Sequence, residues 1–189
     1  MREKLGSLLD VLTTLIDTLE GAGFPYALGG AIAYSAWAEP RATRDVDLNV
    51  WVDLQDLDRA LAALERAGVR VDRLTAVQSA RERGMFVGHC GVYRVDVFIP
   101  SVPFYDEALA RRRRVPLAGH DTWVLSPECL VVFKMLFYRP KDLADVGRVL
   151  DIMGAEFDHG FVRHWLVCML GEADERVVTW DRLVAEHGQ

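Results

Sequence analysis

Residues 24–52, FPYALGGAIAYSAWAEPRATRDVDLNVWV, decide the fold. From Asp45 to Val52 apolar and polar residues alternate. Val46, Leu48, Val50 and Val52 point one way, and Asp45, Asp47, Asn49 and Trp51 the other. Period two over this length predicts a strand with one buried face. Upstream, Phe24 to Leu28 is short and apolar and is broken by Gly29-Gly30. Ala31 to Ala38 is small and apolar, ends before Pro40, and predicts a short buried helix. Before these, residues 4–20 carry leucines at three- and four-residue intervals and stop at Gly21 and Gly23, an amphipathic helix. The chain therefore opens as helix, strand, Gly-Gly turn, helix, strand.

Downstream, residues 54–67 return to helical spacing and stop at Gly68. Strands are expected near 85–90 and 92–99, joined around Gly91, and a helix over 104–114 that ends in four arginines. Val115 to Val124 predicts a short hairpin around Gly119-His120-Asp121. Ser126-Pro127-Glu128 is a helix start, with Ser as N-cap and Pro at the first helical position. Helical spacing then runs nearly to the end, broken near Pro140, Gly154 and Gly171. The expected fold class is α/β (α+β). A core of mixed sheet and flanking helices spans residues 1–124, and a helical part spans 125–189 and packs on that core.

With 189 residues, 51% of them apolar, the chain needs neither disulfide nor metal to hold a core. Its apolar fraction excludes a disordered chain, and no apolar run reaches the ~18 residues of a membrane span. The net charge of −6 argues against a wholly basic nucleic-acid coat, though not against a local basic patch. Cys90, Cys129 and Cys168 show no CxxC spacing, which argues against a disulfide partner and a structural zinc site. The N-terminus keeps returning to charge and lacks a secretory pattern, so a cytoplasmic location without membrane attachment is expected.

The chemistry concentrates in carboxylates. Asp45 and Asp47 leave the same strand face roughly 6–7 Å apart. Side by side they raise each other's pKa, a conflict that a divalent cation removes. Gly29-Gly30, between a strand and a helix, lets backbone N–H groups approach a phosphate, and the helix start adds partial positive charge. Asp96 sits inside the apolar stretch Val95-Asp96-Val97-Phe98-Ile99, where a charge is costly unless paired, exposed or metal-bound. Lysine is scarce: only Lys4, Lys134 and Lys141 exist, and the last two share a face if their helix is continuous. Lys134 suits the β/γ phosphates as a compact point charge, or covers an apolar helix face. Asp142 and Asp145 stand one turn apart. Arg111 to Arg114 would suit an RNA backbone, or a solvated helix end. The five histidines lack metal-ligand spacing.

These motifs together resemble the nucleotidyltransferase superfamily of the DNA polymerase β type. The resemblance rests on Leu28-Gly29-Gly30-Ala31, Arg41-Ala42-Thr43-Arg44-Asp45-Val46-Asp47-Leu48 and Val95-Asp96-Val97. Within that superfamily the pattern is most similar to the AbiEii-type toxins of bacterial abortive-infection toxin–antitoxin pairs and their relatives. Glu128, Lys134 and Arg139-Pro140-Lys141-Asp142-Leu143-Ala144-Asp145 are similar to that group's C-terminal motifs, and the likeness covers residues 24–150. The resemblance implies two Mg²⁺ ions and transfer of a nucleoside monophosphate from an NTP, such as ATP, to an acceptor. It implies that Gly29 and Gly30 hold the triphosphate and that Asp45 and Asp47 ligate both metals. It also implies that Asp96 completes one metal site near the acceptor hydroxyl. Arg44, Lys134 and Asp142 are the further candidate nucleotide contacts. Ala31 stands where the family often has Ser, removing one hydroxyl donor to phosphate.

Three functions compete at this stage. One is a toxin-like nucleotidyltransferase whose acceptor is a tRNA 3′ end, a protein hydroxyl or a small molecule, with a cognate antitoxin as partner. Another is a small-molecule, antibiotic-modifying nucleotidyltransferase. The third is a nucleotide-binding or partner-binding module without catalysis. The arginine run leans toward RNA; the retained carboxylates lean against a silent module.

Overall fold

A computed structural model describes residues 6–117 and 119–188. Helix α1 (Leu8–Gly21) starts on a capping box: the Ser7 hydroxyl accepts from the Asp10 N–H, and the Asp10 carboxylate accepts from the Ser7 N–H. Lys4 and Leu5 of the expected helix lie outside the described residues. The order continues β1 (Tyr26–Leu28), α2 (Gly30–Trp37), β2 (Asp45–Val50) and α3 (Leu57–Arg66). Then come α4 (Arg73–Arg83), β3 (Met85–Cys90), β4 (Tyr93–Phe98), α5 (Phe104–Arg111), β5 (Arg113–Leu117) and β6 (His120–Val124). Four helices finish the described chain: α6 (Pro127–Phe137), α7 (Pro140–Met153), α8 (His159–Leu170) and α9 (Glu175–His187). The fold class is the expected α/β, with a mixed sheet and flanking helices.

The strands form one sheet in the order β3-β4-β2-β1-β6-β5. The β4–β2 and β2–β1 pairings bear on function. β2 and β4 run parallel with Asp47 opposite Asp96 and Asn49 opposite Phe98, while β1 pairs antiparallel to β2 with Leu28 opposite Leu48. On one sheet face Val46, Leu48, Val50, Val95 and Val97 are all buried in the core. The other face of β2 and β4 carries Asp45, Asp47, Asn49, Asp96 and Phe98, by the same alternation. A single hydrophobic cluster takes in α1, the sheet and α6 to α9, from Leu15 through Leu48 and Leu130 to Leu166. Helix α6 is the hub of the helical part, packing on α2, α5, α7, α8 and α9. Ser126 caps it, its hydroxyl oxygen accepting from the Cys129 N–H, with Pro127 in the first turn as expected.

Three expectations need correction. Residues 69–84 carry a helix, α4, that periodicity does not reveal, because Leu74 is 87% exposed and only Ala76, Ser79 and Ala80 are buried. Its end signals are nevertheless present: Asp72 accepts from the Thr75 N–H, and Gly84 closes the helix at φ +66°. The helix expected over 104–114 stops at Arg111, and Arg113 and Arg114 already belong to β5. Lys134 and Lys141 do not share a helix: α6 ends at Tyr138, whose φ is +55°, and Arg139 caps the separate helix α7. Among the described residues no helix is long and apolar enough to cross a membrane.

Candidate active site

A cleft opens between the acidic face of β2 and β4 and helices α6 and α7. Its polar lining includes Gly29, Gly30, Asp45, Asp47, Asp96 and Lys134. Asp142 lines it too, so seven of the eight expected site residues meet there; Arg44 does not. The Arg44 side chain is exposed at the approach to β2, and its carbonyl accepts from the Arg94 N–H. Arg41, three residues earlier, lines the cleft instead.

The Gly-Gly turn places α2 directly on β2. The Gly29 N–H donates to the Asp47 carbonyl at 2.8 Å. Gly30 adopts φ +51°, and a Cβ there would fall 1.8 Å from Asp47 Oδ2. Only glycine lets the carboxylate lie against this turn. At the far end of α2, Trp37 Nε1 donates to the Leu125 carbonyl at 2.8 Å, tying the helix to the start of α6. The α2 N-terminus, with its free N–H groups, therefore faces the cleft beside Asp47.

Asp45 and Asp47 make no ion pair among the described residues. Burial pushes the Asp47 carboxyl above its ordinary range, and the charges of Asp96 and Asp45 push it further; Lys134 and Arg139 pull it back in part. Asp96 accepts from Arg94 Nε on Oδ1 at 2.8 Å, and its Oδ2 has no partner among the described residues. The donor set fits a hard divalent cation: oxygen ligands only, in excess negative charge, against a turn too tight for a side chain. Among the described residues no three His, Cys, Asp or Glu side chains form a ready-made metal cage. Mg²⁺ is ordinarily bound by one or two carboxylates plus substrate phosphates, so a partial protein cage suits it.

The opposite wall is a buried ion-pair network. Lys134 is 4% exposed. Its Nζ lies 2.6 Å from Asp145 Oδ2 and 3.6 Å from Asp142 Oδ1. Arg41 Nη2 reaches the same Asp145 oxygen at 2.9 Å. Arg139 grips Asp142 with two guanidinium nitrogens, at 2.6 and 3.2 Å. The buried Asp142 thus holds Arg139 and Lys134 rather than presenting itself to a ligand. Arg139, half exposed over the Phe137 ring, is the cation that looks across at Asp47 and Asp96. Arg139 and Arg41 carry no spacing signal of their own in the sequence. Their neighbours Asp142 and Asp145 at helical spacing were the signal that basic partners had to exist.

The arginine run does not form one patch. Arg111 lies over Phe161 at 3.9 Å, and Arg112 over Trp123 at 4.2 Å while donating to the Tyr26 carbonyl. Arg114 pairs with Glu20. Cys90, Cys129 and Cys168 are free thiols.

No family model matches the chain, and no curated protein matches it in sequence. Its fold does match solved structures. One is the solution structure of the antibiotic-resistance factor ANT(2'')-Ia, with a TM-score of 0.59, 15% identity, and 95% of this chain and 97% of that one covered. Another is the lincosamide antibiotic adenylyltransferase LnuA, lincomycin-bound, with a TM-score of 0.51, 15% identity, and 75% and 96% covered. A third is an antigenic nucleotidyltransferase-like protein from Paracoccidioides brasiliensis, with a TM-score of 0.50, 18% identity, and 90% and 92% covered. The chain has the nucleotidyltransferase fold.

Proposed function

We propose that this protein transfers a nucleoside monophosphate from an NTP to a hydroxyl of a small-molecule acceptor. The observation that carries the reading is the pairing of Asp47 with Asp96 on adjacent parallel strands, beside a Gly-Gly turn too tight for any side chain. Asp45, Asp47 and Asp96 are the residues that would hold two Mg²⁺ ions, and the ions, when bound, neutralise the triphosphate and favour the ionised hydroxyl. The Gly29 N–H fixes the turn on the Asp47 carbonyl, and the N–H groups of Gly30 and the α2 N-terminus bind phosphate oxygens, which covers for the missing hydroxyl at Ala31. Arg139 and Lys141 supply positive charge at the mouth for the leaving pyrophosphate. Asp96, through its free Oδ2, takes the proton of the acceptor hydroxyl as that oxygen bonds to the α-phosphorus. The bond from phosphorus to the β-bridging oxygen breaks, and pyrophosphate leaves. Most of the rate comes from holding these groups in line.

A small acceptor is favoured over RNA because the arginine run lies outside the cleft lining, with Arg111 and Arg112 stacked on rings and Arg114 paired with Glu20. Two structures sharing the fold hold antibiotic molecules: LnuA is lincomycin-bound, and ANT(2")-Ia is in complex with adenylyl-2"-tobramycin. The test is incubation with Mg²⁺ and each NTP labelled at the α-phosphate. Tobramycin, lincomycin, total tRNA and cell protein are supplied separately as acceptors. Label in a small molecule is the expected result. Label in tRNA or protein would replace the acceptor class and favour the toxin-like reading, with an antitoxin to be sought. Mg²⁺-dependent NTP binding with no label anywhere would leave a silent module.

A further inference from the structure

The floor of the cleft differs from its mouth. Past Asp47, on the same face of β2, stands Asn49, 4% exposed, and beside it Tyr105 of α5, 5% exposed. Both line the cleft, and neither is satisfied. The Asn49 amide donates one hydrogen bond, to the Ala27 carbonyl at 3.3 Å, and its Oδ1 has no partner among the described residues. The Tyr105 hydroxyl has none among the described residues, and burial alone pushes it far above its ordinary range. The rest of this floor is apolar: Leu125, Leu130, Phe133 and Phe98. Tyr105 is rigidly held. Trp51 Nε1 donates to its carbonyl at 2.8 Å, and its ring packs 5.2 Å from that of Phe133.

Asn49 Oδ1 and the Tyr105 hydroxyl thus offer their hydrogen-bonding capacity to the cleft alone, and a strand interior disfavours Asn. Such violations are expected where a ligand completes the bonding. The ligand group must be neutral, because no charged side chain stands on this floor to balance a charge. A flat group suits this floor best, because three of the lining side chains, Phe98, Tyr105 and Phe133, are aromatic. It must carry both donors and acceptors, because Asn49 offers an acceptor and Tyr105 either role. Asn49 is two residues beyond Asp47, roughly 6–7 Å along the strand. A Cβ on Gly29, at the start of the phosphate turn, would lie 3.0 Å from Asn49 Nδ2. The deep end is therefore reached from the phosphate site. An acceptor arriving from solvent meets exposed Asp45, Phe137 and Arg139 first.

Resting on the nucleotidyltransferase reading, we infer that Asn49 and Tyr105 form the subsite that reads the nucleobase of the NTP and sets base preference. The test measures equilibrium binding of ATP, GTP, CTP and UTP with Mg²⁺ to the wild type, Asn49→Leu and Tyr105→Phe. Tripolyphosphate serves as a probe that lacks a base. The wild type is expected to rank the four nucleotides over at least about tenfold, since a site that hydrogen-bonds its ligand discriminates strongly against mismatches. Each variant is expected to compress that ranking several-fold, with tripolyphosphate affinity unchanged and melting temperature equal or higher. A ranking that both variants preserve, or a flat wild-type ranking, overturns the inference and leaves a water-filled floor. Loss of tripolyphosphate binding in proportion to NTP binding also overturns it, by making the residues structural. A wild type that binds neither NTP nor tripolyphosphate overturns the parent reading instead.

Discussion

Two groups of aspartates face each other across the cleft, and they are balanced in opposite ways. On α7, Asp142 and Asp145 are met by Lys134, Arg139 and Arg41 at 2.6–3.6 Å. On the sheet, among the described residues, Asp45 and Asp47 meet no cation within ion-pair distance, and Asp96 meets only Arg94. The first group is closed and holds α6, α7 and the segment before β2 together. The second is open, with a net negative charge that the protein does not neutralise. Burial on its own does not separate a structural carboxylate from a functional one; the charge balance around it does.

The largest effect expected from this contrast is on the closed side. Lys134→Met leaves two buried carboxylates short of their shared cation. It should cost about 3 kcal/mol or more in chemical denaturation. This departs from the sequence-based expectation that Lys134 serves the β/γ phosphates. Unchanged stability with weakened NTP binding would restore that picture and break the comparison.

On the open side, Asp47→Asn should lower the transfer rate by roughly a hundredfold or more, each tenfold being about 1.4 kcal/mol. Its melting temperature without metal should hold or rise, because a repelling charge is removed. Parallel losses of melting temperature and activity would make Asp47 structural like Asp142.

Gly30→Ala probes the turn that shelters the open group. With φ at +51° and the new Cβ 1.8 Å from Asp47 Oδ2, the carboxylate must move. A stability loss above about 1 kcal/mol is expected, together with weaker Mn²⁺ binding measured by electron paramagnetic resonance. Normal Mn²⁺ affinity would show that Asp47 does not need the turn. The smallest change belongs to Arg41→Ala. Its side chain is 42% exposed, so losing the Asp145 contact should cost less than about 1 kcal/mol. A loss as large as that of Lys134→Met would mean that the closed group depends on its outer cation as much as on its inner one.

The legible part of this protein was whatever local spacing controls. The alternation of Asp45 to Val52 gave a strand because period two matches the pleat, and Ser126-Pro127 gave a helix start because both residues fit a helix N-terminus. Helix α4 was not legible, since its fully buried residues are small and its one leucine, Leu74, faces solvent. The four arginines read as one run because they are consecutive. The backbone turns from helix to strand among them, so Arg111 leaves toward Phe161 while Arg112 and Arg114 leave toward Trp123.

The sequence by itself determined the three cleft aspartates and the Gly-Gly turn, since residue type and period settle which side chains share a strand face. Only the tertiary structure decided that Asp47 and Asp96 stand in register, that Lys134 belongs to Asp145, and that Asn49 and Tyr105 meet at the floor of one cleft. Those facts depend on pairings between residues far apart in the chain. They are set by sheet register and by how α5, α6 and α7 pack against the sheet, which no local spacing encodes.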